Sequence, residues 1–300
     1  MKTLYFDCFS GISGDMTLAA LIDLGADKDA FLSELNKLNV DGFEIKLSRT
    51  EKSGIGAQDV DVILTNGEFA EEHEHAHEHS HEHNHEHAHD HEHCHEHSHE
   101  HAHDHEHCHE HSHEHAHDHE HSHEHSHAHV HRNLNDIYAI IDGSGISEKA
   151  KELSKKIFMR VAKAEAKVHG KPLEEVHFHE VGALDSIVDI VGTAILIDMI
   201  KPDRICASVV NDGHGFIKCQ HGYMPVPAPA TAEIYADSNI IYKQIDVDGE
   251  MVTPTGAAII AELADSFGVC PPMNIEKTGY GAGKRNFSIP NLLRVVLGES

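Results

Sequence analysis

The feature that most restricts how this chain can fold is a histidine at every odd-numbered position from 73 to 131. Glu, Asp, Ser and Ala fill most of the places between, and no Leu, Ile or Phe breaks the run. A stretch without large apolar side chains cannot offset the entropy lost in ordering its backbone, so a solvated, disordered insert is expected here. Any compact body must then be built from the 65 residues before Asn66 and the 167 after Asn133. Both flanks are rich in Ile, Val, Leu and Ala, and together they suffice for one or two domains. The expected organisation is an N-terminal α+β segment over residues 1–65, a His/Glu-rich metal-binding insert over 66–133, and an α/β segment over 134–300 packed against the first.

Charge divides in the same way. The formal net charge is −28, but residues 68–131 carry 18 acids and no Lys or Arg, which leaves 33 acids against 23 bases elsewhere. That is an ordinary acidic balance with no basic stripe, and it argues against nucleic acid as a partner. Two of the six cysteines, Cys94 and Cys108, sit in the tract, while Cys8, Cys206, Cys219 and Cys270 are scattered. This is no disulfide framework, and a reducing compartment fits it better. The first seven residues contain no apolar signal region, and no run reaches transmembrane length, so a cytoplasmic chain with no membrane partner is expected.

Periodicity sketches the flanks. Residues 3–7 read as a buried strand, followed by a small-residue loop and a helix beginning near Asp15 with Met16, Leu18, Ala19, Leu21 and Ile22. Phe31, Leu32, Leu35 and Leu38 mark a second helix. Phe43, Ile45 and Leu47, then Val60, Val62 and Leu64, alternate with polar residues as two half-exposed strands joined near Ser53-Gly54. Beyond the insert, helices are expected over 134–141, 147–168, 183–199, 230–235 and 255–264, with strands over 204–210 and 292–297. The fold class is α+β (mixed α/β), its compact core interrupted by the insert; sheet order and oligomeric state, a homo-oligomer included, stay open.

Three groups of residues could carry chemistry. The tract comes first, and its leading half alone supplies His73, His75, His77, His79, His81, His83, His85, His87, His89, His91, His93, His95, His97, His99 and His101. Residues 88–101 and 102–115 are identical 14-residue units, an expansion that favours number of imidazoles over a defined fold. Neutral imidazole suits nickel, copper, zinc and cobalt, and the affinity order among these ions does not by itself select nickel. The second group is His177-Phe178-His179-Glu180 with Asp185 and Asp189, where alternate imidazoles would share a side and the aspartates fall four apart on a helix. A pair of surface histidines beside an acidic first turn would look the same. The third is His214 in Asn211-Asp212-Gly213-His214-Gly215 with Cys219 and His221, whose thiolate and imidazoles suit a borderline metal; a structural cysteine and a turn histidine fit equally. His169, before Gly170, reads as a helix C-terminal residue.

Two glycine loops suggest anions. Ser10, Gly11, Ser13 and Gly14 lie between a strand and a helix, where backbone amides could cradle a phosphate. Gly279-Tyr280-Gly281-Ala282-Gly283-Lys284-Arg285 fails the Walker pattern, because Thr278 and Arg285 stand where Gly and Ser or Thr are required. It could still form an anion-binding nest. No Ser-His-Asp or catalytic-cysteine arrangement is present.

Four strings in order resemble a known family. Phe6-Asp7-Cys8-Phe9-Ser10-Gly11-Ile12-Ser13-Gly14-Asp15-Met16, His177-Phe178-His179-Glu180-Val181-Gly182-Ala183-Leu184-Asp185-Ser186, Gly222-Tyr223-Met224-Pro225-Val226-Pro227-Ala228-Pro229-Ala230-Thr231 and Thr253-Pro254-Thr255-Gly256-Ala257-Ala258 are similar to hallmarks of the LarC family of nickel insertion proteins. The resemblance implies a nickel chelatase (a cyclometallase of the lyase class) acting on pyridinium-3,5-bisthiocarboxylic acid mononucleotide, with CTP as co-substrate, to make the nickel-pincer cofactor of lactate racemase. It implies that the tract gathers nickel, that His177, His179 and Glu180 pass it on with His214, Cys219 and His221 as a second set, and that Asp7, Asp15 and Asp185 serve the chemistry. Full-length members continue into a further domain associated with CTP and Mg or Mn, so a separate C-terminal LarC polypeptide is an expected partner. The competing readings are a nickel or zinc store or metallochaperone without chemistry of its own, and a metal-dependent phosphohydrolase built on Asp7 and Asp15.

Overall fold

The computed structural model describes residues 1–65, 132–176, 178, 181–219 and 221–300. The histidine tract, His177, His179 and Glu180 therefore lie outside the described residues. The first flank gives β1 (Lys2–Asp7), α1 (Gly14–Asp23), α2 (Lys28–Leu35), β2 (Phe43–Lys52) and β3 (Ile55–Leu64). The second begins with α3 (Leu134–Gly143), α4 (Glu148–His169), α5 (Leu184–Ile200), β4 (Arg204–Ala207) and β5 (Val210–His214). It continues through the hairpin β6 (Phe216–Cys219) and β7 (Gly222–Pro225), then α6 (Pro229–Ala236), β8 (Tyr242–Asp248), α7 (Pro254–Leu263), β9 (Ser266–Phe267), β10 (Asn274–Ala282) and β11 (Leu292–Glu299).

The two flanks share one seven-stranded sheet of order β2-β3-β10-β11-β1-β4-β9. β1 pairs antiparallel with β11 and parallel with β4, and β3 joins the strands of the second flank beside β10. The architecture is thus mixed α/β. Strand alternation sorts the core: Leu4 and Phe6 of β1 and Leu293, Val295 and Leu297 of β11 enter the main cluster with the helices, while Tyr5 and Val296 pack with Cys206 on the opposite face. α5 is apolar around most of its surface, with Ile187, Val188, Ile190, Val191 and Ala194 all buried between α1, α4 and the sheet. Capping sets the helix ends. Asn133 and Asp136 form a reciprocal capping box on α3, and Ser147 caps α4, which stops at Gly170 in the left-handed region.

The strand expected over 204–210 divides into β4 and β5, with Ser208 bonding back to the amide of Cys8 between them. The glycine run at 279–283 differs more. Gly279 and Gly281 sit inside β10 rather than in an anion loop, and they face α1. A Cβ on Gly279 would come 2.3 Å from the Ala20 carbonyl oxygen, and one on Gly281 would come 2.0 Å from that of Met16. Both positions, two apart on one strand face, let the helix backbone rest directly on the sheet. Gly281→Ala is therefore expected to destabilise the fold by about 1–3 kcal/mol, the usual range for overpacking. A urea unfolding midpoint unchanged from the parent chain would count against this account of the helix–sheet contact.

Candidate functional site

Three helices begin at one place. The N-termini of α1, α5 and α7 converge with the chain after β10 around a cleft of about 280 Å³. α1 contributes Ser13, Gly14 and Asp15; α5 contributes Asp185, Ser186 and Asp189; α7 contributes Thr253, Pro254 and Thr255. Lys284, Arg285, Phe287 and Asn291 close the opposite wall.

Backbone bonding explains the convergence. Buried Asp212 accepts N–H bonds from Gly213, Met251 and Val252 at 2.8, 2.9 and 3.2 Å through one carboxylate oxygen. The segment it holds is zipped to the loop before α1: Ile12 donates to the Met251 carbonyl at 3.0 Å, and Thr253 donates to that of Ile12 at 3.2 Å. Thr253 in turn caps α7 by accepting from Gly256 at 3.1 Å. Burial raises the Asp212 carboxyl to about 6, against the lowering pull of those amides.

The cleft carries both signs of charge. The starts of α1 and α5 lack a side-chain cap, since neither Ser13 nor Ala183 bonds to the first-turn amides. Their positive dipole ends face the cleft together with Lys284 and Arg285. Against them stand Asp15, Asp185 and Asp189. The Ser13 hydroxyl donates to Asp15, Lys284 bridges Asp59 and Asp61 of β3, and Arg285 reaches Glu250. Burial is the main cause that raises Asp15, with the Ser13 bond and Lys284 opposing it. Asp189 is raised well above the ordinary carboxyl range, first by burial and then by the neighbouring charges of Asp15 and Asp185. Its Oδ1 is shut from solvent with no hydrogen-bond partner, and Gly14 is the reason it fits, because a Cβ there would lie 2.3 Å from Asp189 Oδ2. Asn291 is buried too; its amide donates to the Arg285 carbonyl at 3.0 Å while its Oδ1 has no partner.

The structure brings some of the candidate residues together and separates others. Ser13, Gly14, Asp15, Asp185 and Asp189 meet in the cleft. Ser10 and Gly11 lie deeper in the fold: Ser10 is fully buried, and Gly11, at φ +80°, abuts the Met251 carbonyl. Asp7 is engaged by Arg294 in a cross-strand pair and does not line the cleft. His214 lies beside Asp246, Nε2 to Oδ1 3.1 Å, whereas Cys219 and His221 belong to the β6–β7 hairpin. His221 faces His169 instead, with ring centroids 5.0 Å apart. Among the described residues no group of three or more His, Cys, Asp or Glu is placed to hold a metal ion. Sequence reasoning passed over Thr255 and Asn291, for which a single sequence offers no signal.

Asp189 makes a testable statement about stability. Its folded pKa is raised, so its favourable contribution is complete below the unfolded value of about 3.9 and is lost as pH rises through the folded value. Asp189→Asn removes that loss. It should raise Tm at pH 8, by about 2–4 °C for each kcal/mol recovered, and the gain should fade toward pH 4. Equal melting temperatures for the two chains at pH 8 would contradict the burial argument.

Comparison with known proteins follows this geometry closely in extent. A family model described as nickel insertion protein matches residues 4–300. The pyridinium-3,5-bisthiocarboxylic acid mononucleotide nickel insertion protein of Clostridium acetobutylicum is 51% identical over 308 residues, covering 100% of this chain and 64% of that protein. Proteins of the same description from Clostridium kluyveri and Acetivibrio thermocellus are 47% and 46% identical over 300 residues, covering all of this chain and 62% and 61% of theirs. The chain thus spans about three-fifths of the length of these relatives. No solved structure matches it.

Proposed function

Because the chain belongs to the nickel insertion protein family, we propose that it takes part in inserting nickel into pyridinium-3,5-bisthiocarboxylic acid mononucleotide, yielding the nickel-pincer cofactor of lactate racemase and related enzymes. The observation that carries this reading is the two-signed cleft. A pyridinium mononucleotide joins an anionic phosphate to a cationic ring. The phosphate suits Lys284 and Arg285 at the helix starts, and the ring suits the carboxylates of Asp15, Asp185 and Asp189. The thiocarboxylate sulfurs supply the soft ligands that nickel favours, which removes the need for the protein alone to select the metal.

Forming a nickel–carbon bond on the ring breaks a carbon–hydrogen bond and releases one proton. Burial raises both Asp15 and Asp189, which makes either one a stronger base than an exposed carboxylate, and Asp189 or Asp15 is assigned the part of accepting it. The histidine tract gathers nickel, and His177, His179 and Glu180 hand it to the substrate. CTP with Mg or Mn binds mainly outside the matched region, in the part of the relatives that extends past it or in a separate C-terminal polypeptide. The insertion step makes the whole assembly a chelatase of the lyase class.

A metal store is the rival, and one assay separates the two. Purified chain, nickel, CTP and the mononucleotide are combined with and without the C-terminal polypeptide, and product is followed by absorbance and mass. Product formed only with the added polypeptide supports a two-part chelatase; nickel tightly bound with no product under either condition supports storage. In the same assay Lys284→Ala should weaken mononucleotide binding about 10–100-fold, the range expected for a lost charge-assisted contact. A chain lacking residues 71–131 should keep most of its activity when nickel is in excess. Loss of all activity in that deletion, with substrate binding intact, would favour the store.

A further inference from the structure

Two residues lining the cleft, Asp189 and Asn291, each carry a buried side-chain oxygen with no hydrogen-bond partner among the described residues. The Asp189 oxygen belongs to a charged group with a part in the proton step. The Asn291 oxygen is neutral and has no part in it. Asn291 is 6% exposed, and a buried amide oxygen without a donor costs the fold stability.

The side chain is held so that this oxygen stays where it is. Its Nδ2 donates to the Arg285 carbonyl at 3.0 Å, and the Asn291 backbone carbonyl accepts from the Gly283 amide at 3.0 Å. Gly283 also makes the space, since a Cβ there would lie 2.5 Å from Asn291 Nδ2. Flipping the amide would set Oδ1 against the Arg285 carbonyl, acceptor against acceptor, so Oδ1 is the atom left over. The stretch from Gly283 to Asn291 thus lays both kinds of group on one wall of the cleft. Lys284 and Arg285 bring positive charge, and Asn291 brings a neutral acceptor.

A fixed acceptor calls for a donor, and the ligand proposed for the cleft has few. At neutral pH its phosphate and thiocarboxylates are largely ionised, so these groups accept rather than donate. The ring nitrogen carries the sugar and no hydrogen. The donors are the two ribose hydroxyls, and they lie within one sugar of the phosphate that the same wall attracts. We propose that Asn291 is the specificity-determining acceptor of the cleft and accepts a hydrogen bond from a ribose hydroxyl of the bound mononucleotide. The assignment rests on the proposed function and adds a selection of ribonucleotides over deoxyribonucleotides. A site that commits a buried polar group to one hydroxyl rejects the analogue lacking it more strongly than an apolar pocket does.

The test uses the whole 300-residue chain without nickel or CTP. Titration calorimetry compares the pyridinium mononucleotide with its 2′-deoxy and 3′-deoxy analogues. The parent chain should bind one deoxy analogue about tenfold more weakly than the ribose form, the usual effect of one neutral hydrogen bond. In Asn291→Ala that difference should vanish, with affinity for the ribose form falling to that of the deoxy analogue. A merely structural role would weaken all three ligands alike and keep the ratio. Asn291→Leu keeps the buried volume without either polar atom, and it serves if the alanine variant does not fold. Equal affinity of the parent chain for all three ligands overturns the assignment, as does a ratio that survives in either variant. In both cases the ribose form still binds and the cleft keeps its proposed substrate. If the parent chain binds none of the three, the proposed function loses its cleft and Asn291 its role with it.

Discussion

The arrangement depends on how closely α1 lies on β10. Ordinary side chains would hold the helix off the sheet, but Gly279 and Gly281 remove them at the points of contact. That contact fixes where α1 begins and therefore where Ser13, Gly14 and Asp15 stand. It also leaves room for α5, whose Gly192 meets Leu18 of α1 and Phe31 of α2. Shift α1 outward by a methyl group and the three helix starts no longer meet.

A second theme is the cost accepted to keep charge inside. Asp212 is compensated by three amides and acts as a brace between the loop before α1 and the start of α7. Asp189 has no such compensation at Oδ1. A fold under selection for stability alone would place an apolar or amide side chain there. The same logic separates Asp7 from Asp15: both were candidates for one ion, yet Arg294 neutralises the first within the sheet while the second stays in the cleft.

Much of the fold was legible because local pattern and tertiary need agreed. The apolar face of α1, the alternation in β2 and β3 and the helix over 147–168 each follow from residues within a few positions of one another. At 279–283 the sequence left a turn and an anion-binding nest both open, and the close backbone approach of Gly279 and Gly281 to α1 depends on where that helix lies. The cleft was half legible. Asp185 and Asp189 are four apart and read together, but Asn291 and Lys284 reach them through strand order, which no single sequence prints. The pairing of His169 with His221 was hidden for the same reason, since 52 positions separate them and the hairpin that joins them carries no marker of its partner.

Arg132 gives the architecture a kinetic side. Its carbonyl accepts the amide of Phe178 at 3.1 Å and its guanidinium donates to the Gly182 carbonyl at 3.0 Å. Arg132 thus ties the chain just beyond residue 131 to the segment that leads into α5. Tethering exchanges a bulk concentration for an effective one, on the order of millimolar for a short tether. Under the proposed function, an ion captured on the tract would reach its acceptor in a unimolecular step, at a rate indifferent to how scarce free metal is or how dilute the protein becomes.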